Sequence, residues 1–177
     1  MRADAQRNRD RLVETAARAF ADDDPDVTLD AIAKAAGVGI GTLYRHFPTR
    51  EALVEAAYRS ELAKLCDAVP GLLENMAPDK AMREWMDRFF DYMATKRVMG
   101  DALRAVVASG GNPFSESRDK LTAAIATLLR ASAGKLRQDV DPGDVLVGMA
   151  GISLTSAEPD RSRRALDLLM DGLRYRV

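Results

Sequence analysis

The sequence predicts an all-α protein of about nine helices, and three observations support this fold class. Apolar residues recur at three- and four-residue spacing along most of the 177 residues, which is typical of amphipathic helices. Prolines and glycine clusters punctuate the chain at helix-length intervals. No segment of useful length alternates apolar and polar residues as a half-buried strand does, and no internal repeat is present.

Three short helices are predicted in the N-terminal part of the chain. The acidic run at 22–26, which contains a proline, ends the first helix. Thr28 is a good N-cap for the second helix, and Gly37 stops it. Pro48 ends the third, because the residue before a proline is biased away from the helical region. The three predicted helices cover residues 7–20, 29–36 and 39–47.

Six further helices are predicted after residue 48. Thr49 caps the fourth, which Pro70-Gly71 is expected to interrupt or end. The segment 110–113 is the clearest loop, and Ser115 or Ser117 is expected to cap the helix after it. A shorter helix covers 99–108, and three others start at prolines, namely Pro78, Pro142 and Pro159.

Two domains are predicted from this pattern. Residues 1–48 form a small N-terminal unit of three helices, and residues 49–177 form a larger helical bundle. The fourth helix is expected to bridge them, because no flexible linker separates the two parts.

Composition excludes several classes of protein. The net charge is -1, from 26 Lys+Arg against 27 Asp+Glu, so the chain is not a basic coat for nucleic acid. The single cysteine, Cys66, excludes an internal disulfide and a multi-cysteine metal site, and we expect a buried free thiol. We predict a cytoplasmic protein with no membrane span, because the N-terminus is charged and the longest nearly uncharged stretch, 145–157, is too short.

The residue composition also gives little support to enzymatic activity. The only histidine is His46, no histidine–carboxylate cluster has metal-ligand spacing, and no glycine-rich loop follows a strand. We therefore predict no catalytic residue, no cofactor and no metal.

The segment from Thr28 to Arg50 reads as two short helices joined by a glycine turn. In a helix-turn-helix, the second helix lies in the major groove of DNA and the first braces it across the backbone. Gly37 suits a tight turn that needs a positive φ. Helix–glycine–helix alone is a weak signal, and a generic helical hairpin with solvated polar residues remains the alternative.

The side chains of the third predicted helix have the chemistry of DNA recognition. Ile40 can touch a thymine methyl, Thr42 can donate or accept, and Arg45 can bind a guanine edge with two hydrogen bonds. Tyr44 and His46 carry polar tips suited to phosphate oxygens.

Flanking residues extend this predicted interface. Thr49 and Arg50 add a hydroxyl, a positive charge and a helix N-terminus, and Thr28 is included at the start of the segment. The acidic run at 22–26 is expected to face away from DNA. A basic N-terminal arm is predicted from Arg2, Arg7, Arg9 and Arg11.

The string GVGIGTLYRHFPTREAL, residues 37–53, closely resembles the recognition segment of the TetR family of transcriptional regulators. The resemblance extends over about residues 8–58. It implies phosphate contacts at Tyr44 and near His46 and Arg50. It also implies that four residues lie near base edges, namely Ile40, Gly41, Thr42 and Arg45.

The resemblance also implies that the helices after residue 55 sense a ligand and form a dimer. A group of methionines and aromatics is the predicted pocket wall, because methionine adapts to varied apolar shapes, and plain core packing is the alternative. The predicted pocket residues are Met82, Trp85, Met86, Phe89, Phe90 and Met93.

The last two long helices are predicted to form the dimer interface, which is how the family pairs them. The alternative is that the apolar stripes of these helices face only the core of their own chain. A twofold dimer would hold its recognition helices about 34–36 Å apart, or a multiple of that, on a palindromic site. The predicted interface residues are Val145, Met149, Ile152, Leu166, Leu169, Met170 and Leu173.

The sequence thus favours a TetR-like repressor, a ligand-responsive homodimer that binds a palindromic operator through the helix at 39–47. Its predicted partners are double-stranded DNA, a second copy of the chain and an unknown small-molecule effector. A helical interaction protein with lost or weak DNA binding stays open, since Gly39 and Gly41 read no base edge and the charge is balanced.

Overall fold

The computed structural model describes residues 2–21, 27–155 and 158–174 of the chain. Within these ranges it is built from nine helices and contains no strand, so the predicted all-α fold is confirmed. None of the described helices is long and apolar enough to cross a membrane. The helices are α1 (Arg2–Ala21), α2 (Leu29–Ala35), α3 (Ile40–His46), α4 (Arg50–Asn75), α5 (Pro78–Val98), α6 (Gly100–Ala108), α7 (Ser117–Ala131), α8 (Pro142–Thr155) and α9 (Pro159–Leu173).

The chain divides into two compact units. Unit 1 consists of Met1–Ala63 and Ala94–Ser115, and unit 2 of Lys64–Met93 and Glu116–Val177. The predicted domain boundary after residue 48 remains a prediction. The acidic run at 22–26 and the side chain of Arg2 lie outside the described residues.

The first three helices pack against one another in unit 1. Helix α1 begins at Arg2, five residues before the prediction, so part of the predicted arm is a regular helix. These first turns have no apolar stripe that would predict them from the sequence. Polar contacts stabilise them instead, because Arg7 pairs with Asp4 and Gln6 Nε2 donates to Asp10 Oδ1 at 2.7 Å. The shared core contains Leu12, Ala16, Phe20, Ile32, Ala33, Leu43 and Phe47.

The remainder of unit 1 is held together by aromatic contacts around the predicted loop at 110–113. The ring of Phe114 meets the buried ring of Tyr58 edge-on, with centroids 5.3 Å apart. Lys96 Nζ lies 4.6 Å from the Phe114 centroid, within cation–π range. At Gly111 a Cβ atom would lie 2.7 Å from the Val106 side chain, so only glycine allows this close approach.

The predicted interruption of the fourth helix is wrong, because α4 continues through Pro70 and Gly71 to Asn75. Proline removes one backbone donor and disturbs the preceding turn of a helix. Both residues are exposed, whereas Val69 and Leu72 on either side of them are buried. Burial of these two side chains therefore offsets the local cost and keeps the helix continuous.

Two of the predicted caps are confirmed and one is wrong. Thr28 Oγ1 accepts the N–H of Ala31 at 3.1 Å, and Thr49 Oγ1 accepts that of Ala52 at 3.1 Å. Helix α7 has no serine cap, because Glu116 occupies the N-cap position without a side-chain cap bond.

Unit 2 has a core built from α5, α7, α8 and α9, in which α8 packs against both α7 and α9. Lys135 Nζ donates to Asp79 Oδ1 at 2.7 Å and holds the pKa of that carboxyl below its ordinary value. Arg83 Nε donates to Asp167 Oδ1 at 2.9 Å and links α5 to α9. The core side chains include Met82, Trp85, Met86, Phe89, Ile125, Leu128, Val145, Met149, Leu166 and Met170.

Cys66 is half-buried on α4, and burial raises the pKa of its thiol, with the Asp67 charge adding to the effect. The thiolate is the reactive form, so a raised pKa leaves a smaller reactive fraction at neutral pH. Alkylation of the folded protein at pH 7 should therefore be slower than alkylation in denaturant. The rate should also rise with pH around a higher midpoint in the folded protein. A folded-state midpoint at or below the unfolded one would contradict this account.

Candidate DNA-binding site

Helices α2 and α3 form a helix-turn-helix within unit 1. Gly37 has a φ of 63°, in the left-handed region that a tight turn requires and glycine adopts without strain. The N–H of Val38 donates to Ala33 O at 2.9 Å and closes the turn. Leu43 and Phe47, which are 0% and 3% exposed, anchor the inner side of α3. The second helix is thus fixed in orientation before any DNA is bound.

The substitution Gly37→Ala should lower the free energy of unfolding by about 1–2 kcal/mol, the cost of an L-residue in the left-handed region. A Cβ here would also lie 2.7 Å from Arg11 Nη2, although that flexible side chain can move. Gly39→Ala is the matched control, because Gly39 has a φ of −66° and no heavy atom within 4 Å of its Cβ position. Urea unfolding followed by circular dichroism measures both variants, and equal losses would contradict the turn assignment.

The outer side of α3 presents the predicted base-reading residues together. Ile40 is 37% exposed and Tyr44 is 50% exposed, which are high values for such apolar side chains. Gly41 and Arg45 are exposed on the same side, and Thr42 is half-buried. The Nε–H of Arg45 donates to Gly41 O at 3.2 Å, which orients the guanidinium along the helix surface.

Basic side chains of α1 lie at the edge of this motif. Arg9 stacks on the ring of Phe47, with its guanidinium carbon 5.3 Å from the centroid, and Arg11 reaches the turn at Gly37. His46 is half-buried beside the same phenylalanine, with ring centroids 6.3 Å apart. The guanidinium of Arg9 and the ring of His46 are thereby brought together around Phe47.

The hydroxyls of Thr28 and Thr49 lie at the starts of α2 and α4 and are exposed. Each oxygen accepts a backbone N–H as a cap, so its own hydrogen remains available to donate. Both can therefore donate to a phosphate oxygen, as the sequence predicts.

Arg50 has a different environment from the one predicted for a phosphate anchor. Its Nη1 donates to Val27 O at 2.5 Å, and its guanidinium carbon lies 5.0 Å from the Phe20 centroid. The side chain is half-buried, so it ties α4 to the elements before it. These contacts indicate that Arg50 helps to position the motif, and its role as a phosphate anchor stays a prediction.

The predicted pocket residues lie together on α5 in unit 2. Trp85 is fully buried and its Nε1–H donates to Leu65 O at 2.9 Å. Its ring stacks on Phe89 with centroids 6.1 Å apart and an interplanar angle of 29°. Met82, Met86 and Met93 are buried in the same group and Phe90 is half-buried. This arrangement is compatible with a core as well as with a pocket wall.

The predicted dimer residues are mostly core residues of unit 2. Five of the seven are at most 4% exposed, so they cannot form much of an outer surface: Val145, Met149, Leu166, Met170 and Leu173. Ile152 and Leu169 are half-buried. The apolar surface of these two helices is formed instead by Val147, Leu154 and Leu168, which are 64%, 70% and 74% exposed. These two helices therefore do carry exposed apolar residues, but the residues named from the sequence lie mainly on the side of each helix that faces the core.

Fold and site together define a helix-turn-helix DNA-binding protein of the all-α class. Comparison with known proteins agrees. The sequence model of the tetR family of bacterial regulatory proteins matches residues 12–57. A second model, the C-terminal domain of SbtR-like transcriptional regulators, matches residues 77–175. The chain belongs to the TetR family of transcriptional regulators.

Similar structures and sequences extend along the chain. A TetR transcriptional regulator from Streptomyces coelicolor is 50% identical, with a TM-score of 0.86 over 96% of this chain and 99% of that one. A TetR regulatory protein from Mycobacterium vanbaalenii is 34% identical, with a TM-score of 0.79 over 98% and 99%. A curated HTH-type transcriptional regulator from Staphylococcus aureus is 28% identical over 113 residues, or 63% of this chain and 60% of that protein. The match thus spans under two thirds of the curated relative.

Proposed function

We propose that this protein is a homodimeric repressor that binds a palindromic operator through α3 and releases it when a small apolar effector binds unit 2. The observation that carries the proposal is the outer side of α3, where Ile40, Tyr44 and Arg45 are exposed on a helix fixed by a tight turn. A thymine-methyl contact, a phosphate donor and a guanine reader are thus presented from one short surface.

Charge balance supports binding as a dimer. The first 50 residues contain eight basic and eight acidic side chains, so one copy has little net attraction for DNA. Two copies double the phosphate contacts, each of which releases counterions. The exposed side chains of Val147, Leu154 and Leu168 supply an apolar surface on unit 2 through which two copies can associate.

DNA selection from a random double-stranded pool tests the operator. We expect an enriched palindrome whose half-sites are about one helical turn apart, or a multiple of it, and an affinity that falls steeply with salt. The protein should be dimeric at the concentrations used. Failure to enrich any sequence would instead favour the helical interaction protein that the sequence left open.

The effector site is proposed at the methionine and aromatic group of α5. Methionine is adaptable and lines sites that accept varied apolar ligands. A ligand changes DNA affinity only if it binds one of two states better than the other. Trp85 is the only tryptophan of the chain and is fully buried, so its fluorescence reports on this group alone. An apolar effector that releases operator DNA should change the fluorescence emission of Trp85. Release of the DNA without any change in emission would show that the effector binds elsewhere.

A further inference from the structure

The arginines of α1 differ in whether their charge is balanced within the chain. Arg7 pairs with Asp4 along the surface of the helix. Arg9 and Arg11 are exposed, and neither has a carboxylate partner in the described part of the chain. Asp10 lies between them in sequence, but it accepts a hydrogen bond from a side-chain amide of the same helix instead. Two positive charges of α1 are therefore left without an anionic partner.

These two guanidiniums lie at opposite ends of α3. The guanidinium carbon of Arg9 is 5.3 Å from the ring centroid of Phe47, which is the C-cap residue of α3. Nη2 of Arg11 is 2.7 Å from the Cβ position of Gly37, in the turn before α3. The 7 residues of α3 span about 10 Å, since each residue of an α-helix rises about 1.5 Å. One positive group therefore lies beside each end of this helix.

The contacts that hold the two arginines leave their hydrogen-bond donors available. The attraction between Arg9 and the Phe47 ring uses none of the N–H···O bonds that a guanidinium can form. Arg11 lies against a glycine, which has no side chain to accept from it. A guanidinium binds phosphate with two parallel hydrogen bonds, and a side chain that is already positioned loses less entropy on binding. Both groups are thus suited to a phosphate ligand.

The sugar–phosphate backbone on either side of a major groove has the matching dimensions. The groove is about 12 Å wide and is bordered by the phosphates of the two strands. This width is close to the length of α3, so groups at the two ends of the helix can reach opposite borders. Base edges carry no negative charge, whereas phosphates do, so cations beyond the ends of the helix favour the backbone.

We infer that Arg9 and Arg11 are phosphate anchors that hold the two ends of α3 against opposite strands of the operator. This inference rests on the proposed function and adds two contacts from α1 to those proposed for α3. It also explains how a head with as many acidic as basic side chains can bind DNA. The described carboxylates of α1 are engaged along the helix itself, whereas these two charges lie beside α3.

The salt dependence of DNA binding by the full chain tests the two anchors. Each phosphate contact contributes about 0.9 to the slope of log affinity against log salt concentration. Arg9→Gln and Arg11→Gln each remove one contact per protomer, so each should make the slope for the dimer shallower by about two. Each should also weaken operator binding by roughly tenfold or more. Fluorescence anisotropy with the selected operator duplex measures both quantities.

A duplex of equal length and scrambled sequence separates phosphate contacts from base reading. Phosphates carry no sequence information, so Arg9→Gln and Arg11→Gln should weaken binding to the scrambled duplex and to the operator by similar factors. Arg45→Ala should instead weaken operator binding more than binding to the scrambled duplex. A similar loss on both duplexes thus distinguishes an anchor from a base reader.

Arg7→Gln is the matched control, because it removes a charge from the same helix that Asp4 already balances. It should change the slope by less than half as much as either anchor variant. Circular dichroism should show that all three variants are folded, since the three side chains are exposed. A purely structural role for the stack of Arg9 on Phe47 would lower stability and leave the slope unchanged.

The outcomes distinguish this inference from the proposed function. Unchanged slopes for Arg9→Gln and Arg11→Gln, with operator binding still weakened by Arg45→Ala, would overturn the anchors and leave the proposed function in place. An equal change of slope for Arg7→Gln would indicate general attraction to α1 and would also overturn them. A wild-type protein that binds neither duplex would instead overturn the proposed function.

Discussion

Replacing Arg45 with alanine should weaken operator binding by roughly thirtyfold or more while the protein stays folded and dimeric. Arg45 is exposed on α3, and its stem is oriented by the bond from Nε to Gly41 O. A bidentate arginine–guanine contact contributes about 1–3 kcal/mol of discrimination per half-site. Two copies per operator raise the loss to roughly thirtyfold or more in affinity. Fluorescence anisotropy with the selected palindrome at fixed salt measures this change.

Further variants separate base reading from attraction by charge. Arg45→Lys keeps the charge but loses the planar fork, so it should lose most of the discrimination between operator and altered sites. Tyr44→Phe removes one phosphate donor and should weaken binding uniformly across sequences. Arg88→Ala, on α5 where Arg88 pairs with Glu84, is the control and should leave binding unchanged. Undiminished binding by Arg45→Ala would show that α3 does not read the bases at this position.

Replacing Trp85 with alanine should lower the free energy of unfolding by about 3–5 kcal/mol, the usual cost of emptying a buried aromatic site. Trp85 is fully buried, stacks on Phe89 and donates to Leu65 O. Such a loss is a large part of the stability of a typical domain. Urea unfolding at one fixed protein concentration measures the change, because dimerisation adds to apparent stability.

A second substitution at the same position separates packing from hydrogen bonding. Trp85→Phe retains much of the ring but removes the indole N–H that donates to Leu65 O, so we expect a smaller loss of about 1–3 kcal/mol. Phe90→Ala, at a half-buried position in the same helix, is the control and should cost less than Trp85→Ala. Equal losses for both alanine variants would show that Trp85 is not central to the packing of unit 2.

Local signals in the sequence were sufficient for much of the fold. Threonine caps at Thr28 and Thr49 and the glycine turn at Gly37 depend on bonds within a few residues, and each is confirmed. The continuity of α4 through Pro70 could not be predicted in this way. It depends on the burial of Val69 and its neighbours in the folded chain, which a local pattern does not reveal.

The outer surface of α8 could not be predicted from the spacing of apolar residues. Apolar residues occur on several sides of this helix, so the spacing of Val145, Met149 and Ile152 cannot say which side faces the core. The structure buries Val145 and Met149 and exposes Val147 and Leu154 instead. The contacts of Arg50 could not be predicted for a related reason, since only the fold brings Val27 and Phe20 to its guanidinium.

The empty space around Gly39 and Gly41 has a consequence for how such a protein can change its target. Neither glycine has a heavy atom within 4 Å of its Cβ position, and neither has a positive φ. A side chain added at Gly41 would project from the exposed side of α3, and replacing glycine inside a helix favours folding by roughly 0.5–1 kcal/mol. If α3 reads the operator as we propose, new operator preferences can therefore arise at Gly41 by single mutations that also favour the fold, so retargeting and stability are not in conflict at this position.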